Sequence, residues 1–228
     1  MLNLIDALKE SEMFSGLDEL LLRKIAAGCI IRTYPAGMIL FRENDIGTVM
    51  YLVLSGAIKV FTSNSQGEVK ILSIITKGES LGELSLLDGK PRSATAQVIE
   101  DATLMSLTEK KFNELLASDH RIALGIIRQL TTRLRETNRQ VHDLTYLSAK
   151  QRILKSLLQQ ASAYGYRRSD LIQMRLRINY EELAQMAGVT KASLFNVLGE
   201  LQDKKVLSYV QDVMVIDLSK LRGRRKKT

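Results

Sequence analysis

The apolar pattern of this 228-residue chain changes period near residue 108, and that change limits the folds open to it. From Cys29 to about Leu107 the apolar residues fall in short β-rich runs: CIIRTY, MILFRE, VMYLVLSG, AIKVFTS, VKILSIIT, ATAQVIE and ATLMSL. Turn signals separate them at Pro35–Gly37, Asn44–Gly47, Ser55-Gly56, Asn64–Gly67, Lys77-Gly78 and Asp88-Gly89. Short strands at close spacing with Gly and Asn turns predict an all-β barrel or roll. Ahead of them, Asn3 to Gly28 has helical spacing, with Leu17, Leu20, Leu21 and Ile25 on one apolar face.

Helical character returns near Glu109. From Ile127 the positions Ile127, Leu130, Leu134, Thr137, Val141, Leu144 and Ser148 step by three and four in alternation, a heptad seam. Arg128, Arg133, Arg135, Glu136 and Arg139 fall on the other faces, which favours a parallel homodimer seam over a helix packed only on its own β domain. Thr137 places a hydroxyl in that seam and Asn138 follows it. A polar seam residue sets register or serves a ligand, and the spacing does not separate the two. AKQRILKSLLQQASAY is a further helical run; Gly165 to Asp170 reads as a loop and Met174 to Ile178 as a short strand.

Residues 179–203, NYEELAQMAGVTKASLFNVLGELQD, carry a helix-turn-helix pattern. Asn179 with Glu182 forms a capping box, Gly188 stops the first helix, and Thr190 caps the second. Ala184 beneath the turn lets the helices cross closely, and Leu194, Val197, Leu198 and Leu201 face inward. VLSYV, Gln211-Asp212 and VMVID then read as a two-stranded wing. In such a fold the second helix enters the major groove by its first turn, where Lys191 suits a guanine edge and Asn196 an adenine. Thr190 and Ser193 suit phosphates. Phe195 either touches a thymine methyl or a sugar, or belongs to the core.

Charge agrees with that placement. Residues 1–118 hold 12 Lys/Arg against 15 Asp/Glu, whereas 119–228 hold 21 against 10, so the basic excess lies wholly in the second half. Such asymmetry points to a polyanion, nucleic acid or an anionic membrane, and otherwise to a solvated basic surface. The tail Arg222–Lys227 adds sequence-blind affinity for DNA. Apolar residues make up 45% and charged residues 25%, the balance of a globular protein, and no run reaches the roughly 18 apolar residues of a membrane span. The amphipathic, acid-containing start MLNLIDALKESEMF is not a secretory signal. One cysteine, Cys29, excludes an intramolecular disulfide, a zinc ribbon and a cysteine-held iron–sulfur cluster within one chain, and fits a reducing cytoplasm.

A second constellation lies at residues 78–96, GESLGELSLLDGKPRSATA. Gly82 permits close backbone approach, Glu83 begins a helical turn, and Arg92-Ser93 follow a Gly-Lys-Pro turn. An arginine fork, a hydroxyl and helix-start amides suit a buried phosphate, with a carboxylate for a sugar hydroxyl. Equally, Ser80-x-x-Glu83 is a capping box and Arg92 a solvated loop cation.

Taken with the PAG turn at Pro35–Gly37, the YLVLSG strand at Tyr51–Gly56 and the helix-turn-helix, this cassette resembles the CRP/FNR family of transcription regulators, in particular its cyclic-AMP-receptor type. The resemblance runs from about Phe14 to Ile216. It implies an α+β fold: an N-terminal β-roll of the cyclic-nucleotide-binding type (residues 1–118), a long dimerisation helix (119–146) and a C-terminal winged helix-turn-helix (147–228). It implies that Glu83 holds a ribose hydroxyl and that Arg92 and Ser93 hold a cyclic phosphate. Gly82, Leu84 and Ala94 line the pocket through backbone groups. Thr137 meets the base in its own subunit and Asn138 reaches it from the partner. Cyclic AMP is the favoured effector, ahead of cyclic GMP and cyclic dinucleotides. The implied partners are double-stranded DNA with near-palindromic half-sites, a second copy of the chain, and RNA polymerase.

Two departures stand out. Where the family's cyclic-AMP-receptor type carries an arginine, an acid and a later arginine on the recognition helix, this chain has Lys191, Ala192 and Asn196, which puts the usual operator in doubt. The N-terminal cysteines of the oxygen-sensing branch are absent. Rival readings are a redox or haem sensor using Cys29, His120 or His142, a cyclic-nucleotide module serving a partner protein, and an enzyme. No nucleophilic triad, metal-ligand spacing or P-loop supports the last, so neither catalysis nor a metal is expected.

Overall fold

The computed structural model describes residues 4–221. The chain divides into two compact units that meet in sequence between Arg139 and Gln140.

In the first unit the helical spacing of the N-terminus resolves into two helices, α1 (Leu4–Glu10) and α2 (Glu19–Ala27). Ser11 breaks the pattern: its hydroxyl donates to the Leu8 carbonyl and accepts from the Phe14 amide. Asp18 then caps α2 through the Leu21 amide. Leu21, Leu22 and Ile25 form the buried stripe of α2, while Leu20 is exposed rather than on that face. Cys29 precedes the first strand, half-buried, its thiol donating to the Ala26 carbonyl, and so lies outside the core strands.

The strands are β1 (Ile30–Tyr34), β2 (Ile39–Phe41), β3 (Val49–Ser63), β4 (Val69–Ile75), β5 (Ser80–Leu81) and, after α3 (Glu83–Asp88), β6 (Thr95–Thr108). They pair antiparallel in the order β1-β6-β3-β4, with β2 on β6 and β5 on β3. VMYLVLSG and AIKVFTS are therefore one strand, as are ATAQVIE and ATLMSL. Ser55-Gly56 is a bulged region of a continuous ladder instead of a chain reversal. Gly56 sits at φ 84° with Asp101 O only 2.4 Å from where a Cβ would lie, so close approach of β6 demands glycine there. Bulges let β3 bend and serve two ends of the roll.

Alternation on β3 buries both faces. Leu52 and Leu54 join Phe14, Leu22, Ile25, Phe112, Ile122 and Ile126 in a core under the helices. Val53 and Ile58 join Val98, Ala102 and Leu104 inside the roll. Here α4 (Glu109–Ser118), capped by Thr108, leads into α5 (His120–Tyr146).

In the second unit α6 (Ala149–Tyr164) begins with a complete capping box between Ser148 and Gln151. That cap explains why α5 stops at Tyr146 and why Ser148 is not a seam residue. Next come β7 (Tyr166–Arg168) and β8 (Leu171–Met174), a hairpin turning at Ser169, φ 57°. Residues 166–168 are thus strand rather than loop, and the second strand ends where the sequence pattern has it starting. Its register comes from a distant partner, Met214 opposite Met174 and Ile216 opposite Ile172. After α7 (Tyr180–Ala187) and α8 (Lys191–Asp203), β9 (Leu207–Val210) and β10 (Val213–Asp217) form the wing, followed by α9 (Leu218–Leu221). The sheet order is β7-β8-β10-β9. The basic tail Arg222–Lys227 lies outside the described residues.

Candidate functional site

The cassette of the first unit folds around two buried charges. Ser80 lies in β5, not in a capping box: the N-cap of α3 is Gly82, left-handed at φ 85° and making no side-chain cap. A Cβ at Gly82 would stand 2.6 Å from Arg92 Nη1, so the guanidinium occupies the space that glycine leaves. Arg92 is only 5% exposed, which removes the solvated-cation reading. Its Nη1 donates to Gly82 O (2.6 Å) and Nη2 to Val49 O (2.5 Å), and its Cζ lies 4.2 Å over the Phe41 ring. The Arg92 amide donates to Asp45 O and its carbonyl accepts from the Asn44 amide, which clamps the backbone. Burial pushes the guanidinium below its ordinary pKa, against the opposing pull of Tyr51, Glu83 and Asp45.

Glu83 is 1% exposed. Its Oε1 accepts from Arg133 Nη1 at 2.6 Å, and Arg133 Nη2 also donates to Ser80 O. Gln129, one turn earlier on α5 and buried, exchanges hydrogen bonds with Ser80 through Oε1 (2.9 Å) and Nε2 (3.2 Å). Arg133 is therefore not a cation on a solvent face. The sequence reading missed this pair, although its signal was present: Ile122, Ile126, Gln129 and Arg133 continue one inward stripe, and the last two are polar.

Two atoms of this cluster are buried without a partner, Arg92 Nε and Glu83 Oε2. An orphan cationic donor and an orphan carboxylate oxygen suit an anion and a hydroxyl respectively. Ala94 is buried next to them in sequence, whereas Ser93 and Leu84 are exposed. Thr137 and Asn138 are exposed on α5, Thr137 one turn beyond Arg133. Along the same helix Ile127, Leu134, Val141 and Leu144 are exposed apolar residues.

In the second unit Asn179 and Glu182 cap α7 reciprocally, Gly188 ends it at φ 62°, and Thr190 caps α8 by accepting from the Ser193 amide. Arg152 of α6, which sequence reading also missed, donates to the carbonyls of Leu147, Ala187 and Gly188 and so holds the turn. Leu194, Val197, Leu198 and Leu201 are buried, leaving Lys191, Ala192, Phe195 and Asn196 on the exposed face of α8. Lys191 pairs with Glu181 across the turn (3.7 Å). Phe195 is 47% exposed, which removes it from the core. Its ring lies 5.3 Å from that of Tyr180, whose hydroxyl donates to the Tyr209 hydroxyl of β9 (3.2 Å). Burial, then the Tyr180 hydroxyl, pushes the Tyr209 phenol well above its ordinary pKa.

Burial likewise pushes the Cys29 thiol up, away from a reactive thiolate. Among the described residues no three His, Cys, Asp or Glu side chains gather as a metal site, and no helix is long and apolar enough to cross a membrane.

Residues 31–119 match the cyclic nucleotide-binding domain family, and residues 151–224 the Crp-like helix-turn-helix domain family. The chain is 31% identical to the cyclic AMP receptor protein of Thermus thermophilus over 180 residues, 77% of this chain and 78% of that one. It is 28% identical to a CRP-like cAMP-activated global transcriptional regulator of Mycobacterium tuberculosis, over 73% of this chain and 75% of that one. In fold it is similar to the c-di-GMP responsive global regulator CLP of Xanthomonas campestris: TM-score 0.78 at 24% identity, covering 88% of this chain and 99% of that one.

Proposed function

The chain belongs to the CRP/FNR family of ligand-responsive transcription regulators, which are not enzymes, and we propose that it is a cytoplasmic homodimer whose binding to duplex DNA answers to a cyclic nucleotide, cyclic AMP by preference. The observation that carries the effector is the pair of orphans in one buried cluster, Arg92 Nε and Glu83 Oε2. A cyclic nucleotide supplies an anionic phosphodiester, a ribose hydroxyl and a flat base.

Arg92 and Ser93 hold the phosphate, and Glu83 accepts from the ribose hydroxyl. Backbone groups of Gly82, Leu84 and Ala94 close around them. Arg133 keeps the Glu83 carboxylate aimed by occupying its other oxygen. Thr137 and, from the partner subunit, Asn138 meet the base, which gives α5 a stake in ligand binding. The exposed stripe Ile127, Leu134, Val141 and Leu144 is the dimer seam. A ligand shifts the regulator only through its different affinity for two arrangements, and α5 is the element through which that difference reaches the DNA-binding unit.

On DNA, Thr190 and Ser193 meet phosphates, while Lys191, Ala192, Phe195 and Asn196 face the major groove. A symmetric dimer reads half-sites about 34 Å apart. RNA polymerase is the further partner of a regulator placed beside a promoter.

Calorimetric titration of cyclic AMP, cyclic GMP and cyclic di-GMP into the wild type and Arg92→Ala tests the pocket. Saturable cyclic AMP binding in the wild type that disappears in the variant is expected. Failure of all three to bind overturns the effector reading and leaves DNA binding standing.

A further inference from the structure

We propose that Phe195 is a methyl reader: an aromatic wedge, held upright by the Tyr180–Tyr209 pair, that recognises the 5-methyl group of a pyrimidine in the major groove. The proposal rests on the DNA-binding reading of α8 and adds a specificity determinant to it.

The geometry is unusual for a phenylalanine half in water. Phe195 stands on the same face of α8 as Lys191, Ala192 and Asn196, opposite the buried stripe of Leu194, Val197, Leu198 and Leu201. Two of its neighbours along that face are small, and the third, Lys191, reaches away to Glu181 (3.7 Å). Ala192 precedes it by three, and Gly199 follows by four, with open space where a Cβ would lie. The ring therefore projects beyond Ala192 and Gly199.

One flank is supported by a second ring. The Tyr180 ring, at the first position of α7, packs against Phe195 with centroids 5.3 Å apart and planes tilted 48°, a favourable aromatic geometry. Tyr180 is in turn fixed by its hydrogen bond to Tyr209 on the first wing strand. The chain of contacts runs from wing to recognition helix, and its free end is an apolar ring edge. Hydrogen bonding is closed to that edge. In the major groove the apolar feature of a base is the C5 methyl of thymine, or of 5-methylcytosine, which carries the same group at the same place.

Tyr180 and Tyr209 are positioning residues. Without them the ring would still be present but would sample other rotamers and lose the methyl contact, whereas a phosphate-contacting tyrosine would affect all sequences alike.

The test begins by selecting duplexes that the full-length protein binds from a random library, with and without cyclic AMP. Each thymine of the selected half-site is then replaced by deoxyuridine, which removes the methyl and nothing else. Wild-type affinity is expected to drop about three- to fivefold at one or two positions, the worth of one buried methyl. Phe195→Ala is expected to bind thymine and deoxyuridine duplexes equally, and 5-methylcytosine is expected to outbind cytosine at the same position for the wild type alone. Tyr209→Phe should cut the methyl discrimination below about twofold while leaving affinity for the deoxyuridine duplex in place.

Insensitivity of the wild type to every deoxyuridine, or a half-site with no preferred thymine, overturns the proposal, as does equal loss in Phe195→Ala. Weakening of both duplexes alike by Tyr209→Phe overturns the positioning role. Recovery of no sequence at all overturns the DNA-binding reading itself. The deoxyuridine scan needs no variant, so it stands even if a substitution impairs folding.

Discussion

Glu83 shows how a single buried charge is kept at some expense to the fold. One carboxylate oxygen is held by Arg133 and the other is buried with no partner. A buried carboxylate that loses its hydrogen-bond donor keeps only the attraction of Arg92 against its desolvation. Arg133→Met should therefore destabilise the first unit by about 1–3 kcal/mol, read as a fall in its thermal midpoint. Adding Glu83→Gln should return part of that loss, because the neutral amide costs less to bury. A double-mutant cycle showing no coupling would separate the two residues and leave Arg133 as a packing cation only.

At the scale of elements, the join between α4 and α5 is tied by charge. Arg121, in the first turn of α5, reaches Asp119 (2.6 Å) and Asp18 (2.8 Å), the cap of α2. Its guanidinium holds the Asp119 carboxyl down to about 2, through side-chain and backbone hydrogen bonds from Arg121, and holds Asp18 below its usual range as well. Both carboxyls bind protons less readily folded than unfolded. The stability they contribute is complete above the unfolded carboxylate range near 4 and is lost as pH falls towards 2. Thermal midpoints measured from pH 5 to 2 should decline more steeply for the wild type than for Arg121→Gln. Parallel curves would show that the triad contributes nothing to the folded state. The same scale explains α7 and α8. Their caps are local, Asn179 with Glu182 and Thr190 with Ser193, but the turn between them is completed by Arg152 from α6.

At the scale of the molecule, α5 leaves Ile127, Leu134, Val141 and Leu144 in water when one chain is taken alone, in a 25.6 kDa protomer. Leu134→Glu with Val141→Glu should convert a species of twice that mass into a monomer on light scattering, with loss of salt-dependent DNA binding. An unchanged mass would place the subunit contact elsewhere. Features that depend on neighbours in the chain are legible from the residues alone. The Asn179 and Thr190 caps, the Gly188 stop and the β-then-α change of period are local patterns that reappear at their residue numbers, whereas the heptad stripe loses Ser148 to the cap of α6 and Leu130 to the first unit's own core. Other features depend on partners far along the chain and emerge with the packing. Ser55-Gly56 is a bulge because Asp101 and Ala102 of β6 lie against it. Residues 171–174 are the strand because Met214 and Ile216 set their register. Arg133 is inside because Glu83 is opposite it, and the outward Phe195 ring is flanked by Tyr180, which Tyr209 holds from the wing. Glycine at positive φ serves a turn or a bulge alike, and an arginine on a helix serves solvent or a buried acid alike. The choice is made by the group that packs against it, and that group is not a neighbour in sequence.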